Sequence, residues 1–209
     1  MSGNIYITGT GVISAIGDNV SQNLTNLNRQ RSGIGSINIL DTLFKNDYVA
    51  GEIQYSNTQL AEIVGISPHL EYPRNTLLGI IAAREAANQA NISQTDSLRT
   101  GLIAGTTVGG MDKTERFYYH LEKNIDFIQS HSCGSITEQI ADYLNICDFV
   151  STYNTACSSS ANAIMYGDRV IKQGILERAV VGGFDSLSKF TLNGFRSLFI
   201  LSSKPCKPF

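Results

Sequence analysis

Short apolar runs that end in glycine and threonine recur along this chain, with helix-patterned stretches between them. Residues 4–8 (N-I-Y-I-T) run into Gly9-Thr10-Gly11, and residues 101–107 (G-L-I-A-G-T-T) are followed by Gly109-Gly110. Residues 150–153 and 178–183 (R-A-V-V-G-G) supply two more candidate strands. Residues 74–91 place Leu77, Ile80, Ile81, Ala83, Ala87 and Ala90 on one broad helical face. Residues 135–145 open with S-I-T-E, in which Ser135 and Glu138 have the spacing of a capping box. Residues 156–173 read as a third helix, which Gly174 stops. Strands alternating with helices need crossover connections, so an α/β protein with a mostly parallel sheet flanked by helices is expected. Residues 111–132 read as irregular, although the spacing of Phe117 and Leu121 predicts a short packed helix or lid. The aromatics there (Phe117, Tyr118, Tyr119, Phe127) fit core filling, a subunit contact or the wall of an apolar pocket equally well.

At 209 residues the chain can bury one large core or two small ones. Lys and Arg total 16 against 18 Asp and Glu, a net charge of −2, and no basic cluster occurs. Nucleic acid and anionic membrane are therefore not expected partners. Charged residues make up only 16%, against roughly 25% in an average domain, which points to surface covered by another subunit. Residues 1–11 contain neither Lys nor Arg nor a signal-peptide core, and no run approaches the roughly 20 apolar residues of a membrane span. A cytoplasmic setting is expected, with Cys133, Cys147, Cys157 and Cys206 as free thiols. His131 and Cys133 form an H-x-C that would need two further ligands to hold zinc, so no metal is assigned. Gly9-Thr10-Gly11 begins like a dinucleotide-binding turn but has Ser14 at the third glycine position, and no cofactor is expected.

The stretch from residue 151 to 164, S-T-Y-N-T-A-C-S-S-S-A-N-A-I, carries the chemistry. A short strand, a turn of small residues, one cysteine and then a helix is the layout of a nucleophile elbow. The first turn of a helix leaves backbone N–H groups unpaired and concentrates the positive end of the dipole. A thiol placed there has its thiolate favoured, and the thiolate is the attacking species. The Cys157 N–H is positioned to donate to the oxyanion formed when a thioester is attacked. The small neighbours Ala156, Ser158, Ser159, Ser160 and Ala161 leave room for a substrate. A buried structural cysteine fits the composition about as well.

T-A-C-S-S-S-A-N-A-I resembles the active-site signature of β-ketoacyl-acyl-carrier-protein synthases, the condensing enzymes of fatty-acid and polyketide synthesis. I-T-G-T-G-V-I-S-A-I-G (7–17), G-L-I-A-G-T-T-V-G-G (101–110), R-A-V-V-G-G-F-D-S (178–186) and L-S-S-K-P-C-K-P-F (201–209) resemble further blocks of that family in order and spacing. The resemblance implies a thiolase-like fold, with residues 1–209 as its N-terminal half. That half would lack its last strand and be incomplete without the C-terminal half. The resemblance also makes Cys157 the nucleophile that takes an acyl group from acyl carrier protein. A malonyl-carrier thioester then loses CO₂, and its carbanion attacks the acyl-cysteine. Val108 and Phe195 match positions that line the acyl pocket. A homodimer, or association with the missing half, is implied.

The family's second-half histidine motifs do not occur here. His69, His120 and His131 all precede Cys157 and match none of them. Acylation is therefore expected without condensation, and the alternative is a non-catalytic fragment or a chain-length-factor-like partner. Such partners usually lack the nucleophile that this chain keeps. A thiolase acting on coenzyme A fits the motifs less well, and a cysteine hydrolase would need a His paired to Cys157. The first turns of the cysteine helix (Ala156, Ala161, Ala163, Ile164) are expected to expose an apolar face in the isolated half.

Overall fold

The computed structural model describes residues 4–92 and 97–204. The elements in chain order are α1 (Val20–Asn28), β1 (Ile34–Ser36), β2 (Val49–Gly51), α2 (Asn57–Val64), α3 (Arg74–Gln89), β3 (Thr100–Gly105), α4 (Met111–Phe117), α5 (Leu121–Gln129), α6 (Cys133–Leu144), β4 (Phe149–Tyr153), α7 (Ser159–Lys172), β5 (Arg178–Gly183) and α8 (Lys189–Ser197). Strands β4-β3-β5 form a parallel sheet in that order, and β1 pairs with β2 as a separate antiparallel hairpin that the sequence pattern did not announce.

β3 is buried along its whole length because helices cover both of its faces. Successive side chains of a strand point to opposite faces, and Leu102 and Ile103 divide the core accordingly. Leu102 joins Leu60, Leu77, Ile80, Ile136 and Ile140 from α2, α3 and α6. Ile103 joins Ala163 and Val170 of α7 and Leu176. Burying each Leu or Ile contributes about 1.5–3 kcal/mol, so the two clusters hold the three layers together.

The strand expected at residues 4–8 does not form, and residues 4–13 run outside any helix or strand. A β-rich run needs a neighbouring backbone to pair with, and this segment is instead tied along α3 by side chains. Gln89 accepts from the Thr10 N–H (2.7 Å) and Glu85 from the Val12 N–H (3.0 Å). Ile7 stays 87% exposed. Residues 111–132 are helical rather than irregular, with Phe117 stacked on Phe127 at 5.1 Å and Tyr119 in the open. The 135–145 helix starts earlier, at Cys133. Its cap is Ser132, whose hydroxyl accepts from the Ser135 N–H (3.1 Å), and Ser135 and Glu138 form no capping box. Two serines three residues apart carry the same capping chemistry. What selects Ser132 is the path of the preceding chain, fixed where the Gly110 N–H meets the His131 carbonyl. Gly174 ends α7 as expected, with φ +71°. Of the four residues expected on an exposed face, Ala163 is instead buried against Ile103, while Ala156, Ala161 and Ile164 are exposed together with Met165. Pro205 to Phe209, with Cys206 and the end of the 201–209 block, lie outside the described residues.

One ion pair matters for stability. The Lys113 ammonium, only 2% exposed, meets the Glu71 carboxylate, and Arg116 approaches the same carboxylate at 3.0 Å. Burial works against the Glu71 charge, but the hydrogen bond and charge of Lys113, with Arg116 behind it, outweigh burial and hold its pKa below the ordinary value. A carboxylate with a depressed folded-state pKa contributes stability above its unfolded pKa and loses it as the pH falls through the folded one. Glu71→Gln is therefore expected to cost about 1.5–3 kcal/mol at neutral pH, because it leaves a buried ammonium facing a neutral amide instead of a carboxylate. The gap between variant and wild type should narrow in acid, where wild-type Glu71 is itself protonated. Urea unfolding of both proteins at neutral and acid pH checks this, and a gap that does not change with pH refutes it.

Candidate active site

The ends of the three parallel strands fall in one row. Tyr153 of β4 and Gly183 of β5 both pair with Gly105 of β3, and the chemistry-bearing stretch leaves the sheet from Tyr153. Ala156 takes a left-handed conformation (φ +52°), and residues Ala156–Ser158 form a single 3₁₀ turn that leads into α7. Cys157 lies on that turn with its side chain exposed. A left-handed alanine is uncommon, so the surrounding bonds must hold it. The Thr155 N–H donates to the Ser159 hydroxyl (2.9 Å), which itself donates to the Ala156 carbonyl (2.7 Å). The Ser158 hydroxyl donates to the Thr155 carbonyl (2.8 Å), and Asn162 donates to the Thr155 hydroxyl (2.7 Å). The serine run read as room for a substrate thus also ties the elbow together.

Glycine lets the elbow sit on the sheet. A Cβ at Gly105 would lie 2.5 Å from the Ser159 carbonyl carbon and 2.6 Å from the Ser160 nitrogen, and one at Gly183 would strike the Ser160 side chain. Neither glycine has a positive φ. Their role is close approach rather than backbone freedom.

Val108 is half-buried in the turn that follows β3, three residues past Gly105. Phe195 is 47% exposed on α8, which docks chiefly on α4 rather than on the elbow. The α8 N-terminus is seated by Glu115, which accepts from the Phe190 (2.6 Å) and Lys189 (3.2 Å) N–H groups. Burial pushes the Glu115 carboxyl up. His131 pairs with the Thr114 hydroxyl at 2.8 Å, and Cys133 accepts from Asn154 at 3.2 Å. Burial, outweighing the Asn154 hydrogen bond, pushes the Cys133 thiol up. Among the described residues no three His, Cys, Asp or Glu side chains converge as metal ligands, and no helix is long and apolar enough to cross a membrane.

A separate cleft of about 620 Å³ lies between residues 39–57, α4 and residues 185–189, and neither Cys157 nor Val108 lines it. Its charged groups are taken up by the backbone: Arg74 donates to the Ile53 and Tyr55 carbonyls (2.7 Å each), and Glu52 collects the N–H groups of Asn38, Ile39 and Leu40. Two residues that the sequence reading passed over stand beside Val108, namely Asn75 and Asp185. Asp185 carried one signal, its place just past Gly182-Gly183 at the carboxyl edge of a parallel sheet, where α/β sites form. Asn75 carried almost none, being one amide on an otherwise apolar helix face.

A family model described as "Beta-ketoacyl synthase, N-terminal domain" matches residues 2–209. The chain belongs to the β-ketoacyl synthase family. Over 98% of its length it is 25% identical to the 3-oxoacyl-[acyl-carrier-protein] synthase 2 of Staphylococcus aureus (strain N315), covering 52% of that protein. It is 27% identical to nodulation protein E of Rhizobium meliloti, covering 53% of it. Among solved structures it resembles the ishigamide ketosynthase/chain length factor, with a TM-score of 0.83 and 25% identity over 97% of this chain and 52% of that one. The ketosynthase ApeO in complex with its chain length factor ApeC from Xenorhabdus doucetiae follows at 0.70 and 27%, over 98% of this chain and 52% of that one. The fold is thiolase-like, and the chain spans about half the length of the ketosynthase relatives it matches.

Proposed function

We propose that Cys157 is the acyl acceptor of a decarboxylating condensing enzyme of fatty-acid or polyketide synthesis. The observation that carries the reading is the exposed Cys157 on a strained elbow, seated over the glycine ends of two parallel strands. The names of the family relatives point to acyl carrier protein as the donor. In the first half-reaction the Cys157 thiolate attacks the carbonyl carbon of an acyl-carrier thioester. The tetrahedral intermediate then expels the carrier thiolate, leaving the acyl group on sulfur. In the second, malonyl-carrier loses CO₂ and its carbanion takes the acyl group from Cys157. None of His69, His120 and His131 fits the family's carbanion-stabilising motifs. This chain is therefore read as the N-terminal, acyl-accepting half, with condensation depending on groups outside it. Val108 and Phe195 are read as lining the acyl channel, and a dimeric setting agrees with the ketosynthase–chain length factor pair among the neighbours.

The test is to incubate the protein with acyl-carrier-protein thioesters and map the adduct by mass spectrometry. One acyl group on Cys157 is the expected result. No adduct on a protein that still unfolds cooperatively would overturn the reading and favour a partner subunit that only shapes a neighbour's pocket.

A further inference from the structure

We propose that Asp185 and Asn75 form a latch that fixes the turn at residues 106–109 and thereby sets which acyl chains Cys157 accepts. This deepens the function proposed above and rests on it. The Asp185 carboxylate accepts from the Thr106 hydroxyl (2.8 Å), the Thr107 N–H (3.0 Å), the Thr107 hydroxyl and the Val108 N–H (3.4 Å). Donors from three successive residues are thus gathered on one anion, which curls the turn around it. Asn75, fully buried, closes the second point. Its amide donates to the Gly109 carbonyl (2.7 Å), and its oxygen accepts from the Ser186 N–H (2.6 Å).

A buried amide is costly unless both ends are satisfied. Here the two ends bind the turn and the residue after Asp185, so α3, the turn and the exit of β5 are locked to one another. Val108 is the one aliphatic side chain of the turn, and Gly105 just before it touches the cysteine helix. A slip of the turn therefore shifts Val108, read above as lining the acyl channel, while leaving the elbow's own hydrogen bonds intact. The latched turn also rests on residues 131–133: Gly110 donates to the His131 carbonyl, and a Cβ added at Gly109 would strike that carbonyl oxygen and lie 3.2 Å from the Cys133 nitrogen. Cys133, half-buried there, reports whether the turn is closed.

The experiment compares wild type with Asp185→Ala, Asp185→Asn and Asn75→Ala. One readout is the rate of Cys157 acylation from short, medium and long straight-chain acyl-carrier thioesters. The other is iodoacetamide labelling of Cys133 and Cys157. In Asp185→Ala the ratio of long- to short-chain rates is expected to change about tenfold, the factor set by one charge-assisted hydrogen bond. Asp185→Asn, which keeps one acceptor oxygen, should lie between. Labelling of Cys133 should quicken about tenfold in Asp185→Ala and Asn75→Ala as the turn opens locally, with Cys157 labelling unchanged. An equal loss at every chain length, or unchanged Cys133 labelling, overturns the latch. If Asp185→Ala does not fold, Asp185→Asn and Thr107→Val make the same comparison. If wild type takes up no acyl group, the proposed function fails, and Cys133 labelling alone decides the latch.

Discussion

Replacing Cys157 by alanine is expected to abolish the acyl adduct while leaving the protein as stable as before. The side chain is exposed and the elbow is held by Thr155, Ser158, Ser159 and Asn162, so losing the sulfur removes no packing or cap. Exposed substitutions of this kind fall within about 0.5 kcal/mol. The chemical effect is total because no other group replaces the attacking sulfur. Cys147, also exposed, is an internal control for non-specific thioester exchange. Intact-mass and peptide mapping of wild type and variant decide the matter, and an adduct that persists at the same rate in Cys157→Ala removes that residue from the mechanism.

Gly105→Ala is expected to damage both stability and acylation. The added Cβ meets backbone atoms of Ser159 and Ser160 at 2.5 and 2.6 Å, and these cannot swing aside as a side-chain tip could. The cysteine helix must back away from the sheet, at a cost of about 1–3 kcal/mol for overpacking. A displacement of about 1 Å at a reacting group can cost about 100-fold in rate, so acylation should fall further than stability. Gly182→Ala is the matched control. It lies one residue from Gly183 in β5, and its Cβ would meet nothing within 4 Å. That variant should behave as wild type. Thermal melts and acylation rates of the two variants test the pair, and equal behaviour would show that close approach of helix and strand does not position Cys157.

Much of this architecture was legible from local pattern. The apolar face of α3 from Leu77 to Ala87, the stop at Gly174 and the strands read at 101–107, 150–153 and 178–183 each declared themselves through spacing or a single glycine, the first of these strands ending at Gly105 in the structure. So did the elbow around Cys157, because strand, small residues, cysteine and helix are contiguous in the chain. The strand expected at residues 4–8 failed for a reason that local pattern cannot hold: pairing requires a partner backbone, and the chain just after it, at Thr10 and Val12, is tied to Gln89 and Glu85 instead.

What the sequence determined by itself was the class of fold, the alternation of the three parallel strands with the helices between them, and the turn that carries Cys157. These depend on residues within a turn or two of each other, whose propensities and spacing act locally. Only the tertiary structure decided that Gly105 and Gly183 are seats for the cysteine helix, that Ser132 rather than Ser135 caps α6, and that Asn75 and Asp185 grip the Val108 turn. Each of those roles joins segments distant in the chain. The contacts exist only once the sheet has brought its strand ends into one row, and no pattern along the chain encodes which backbone will arrive opposite which.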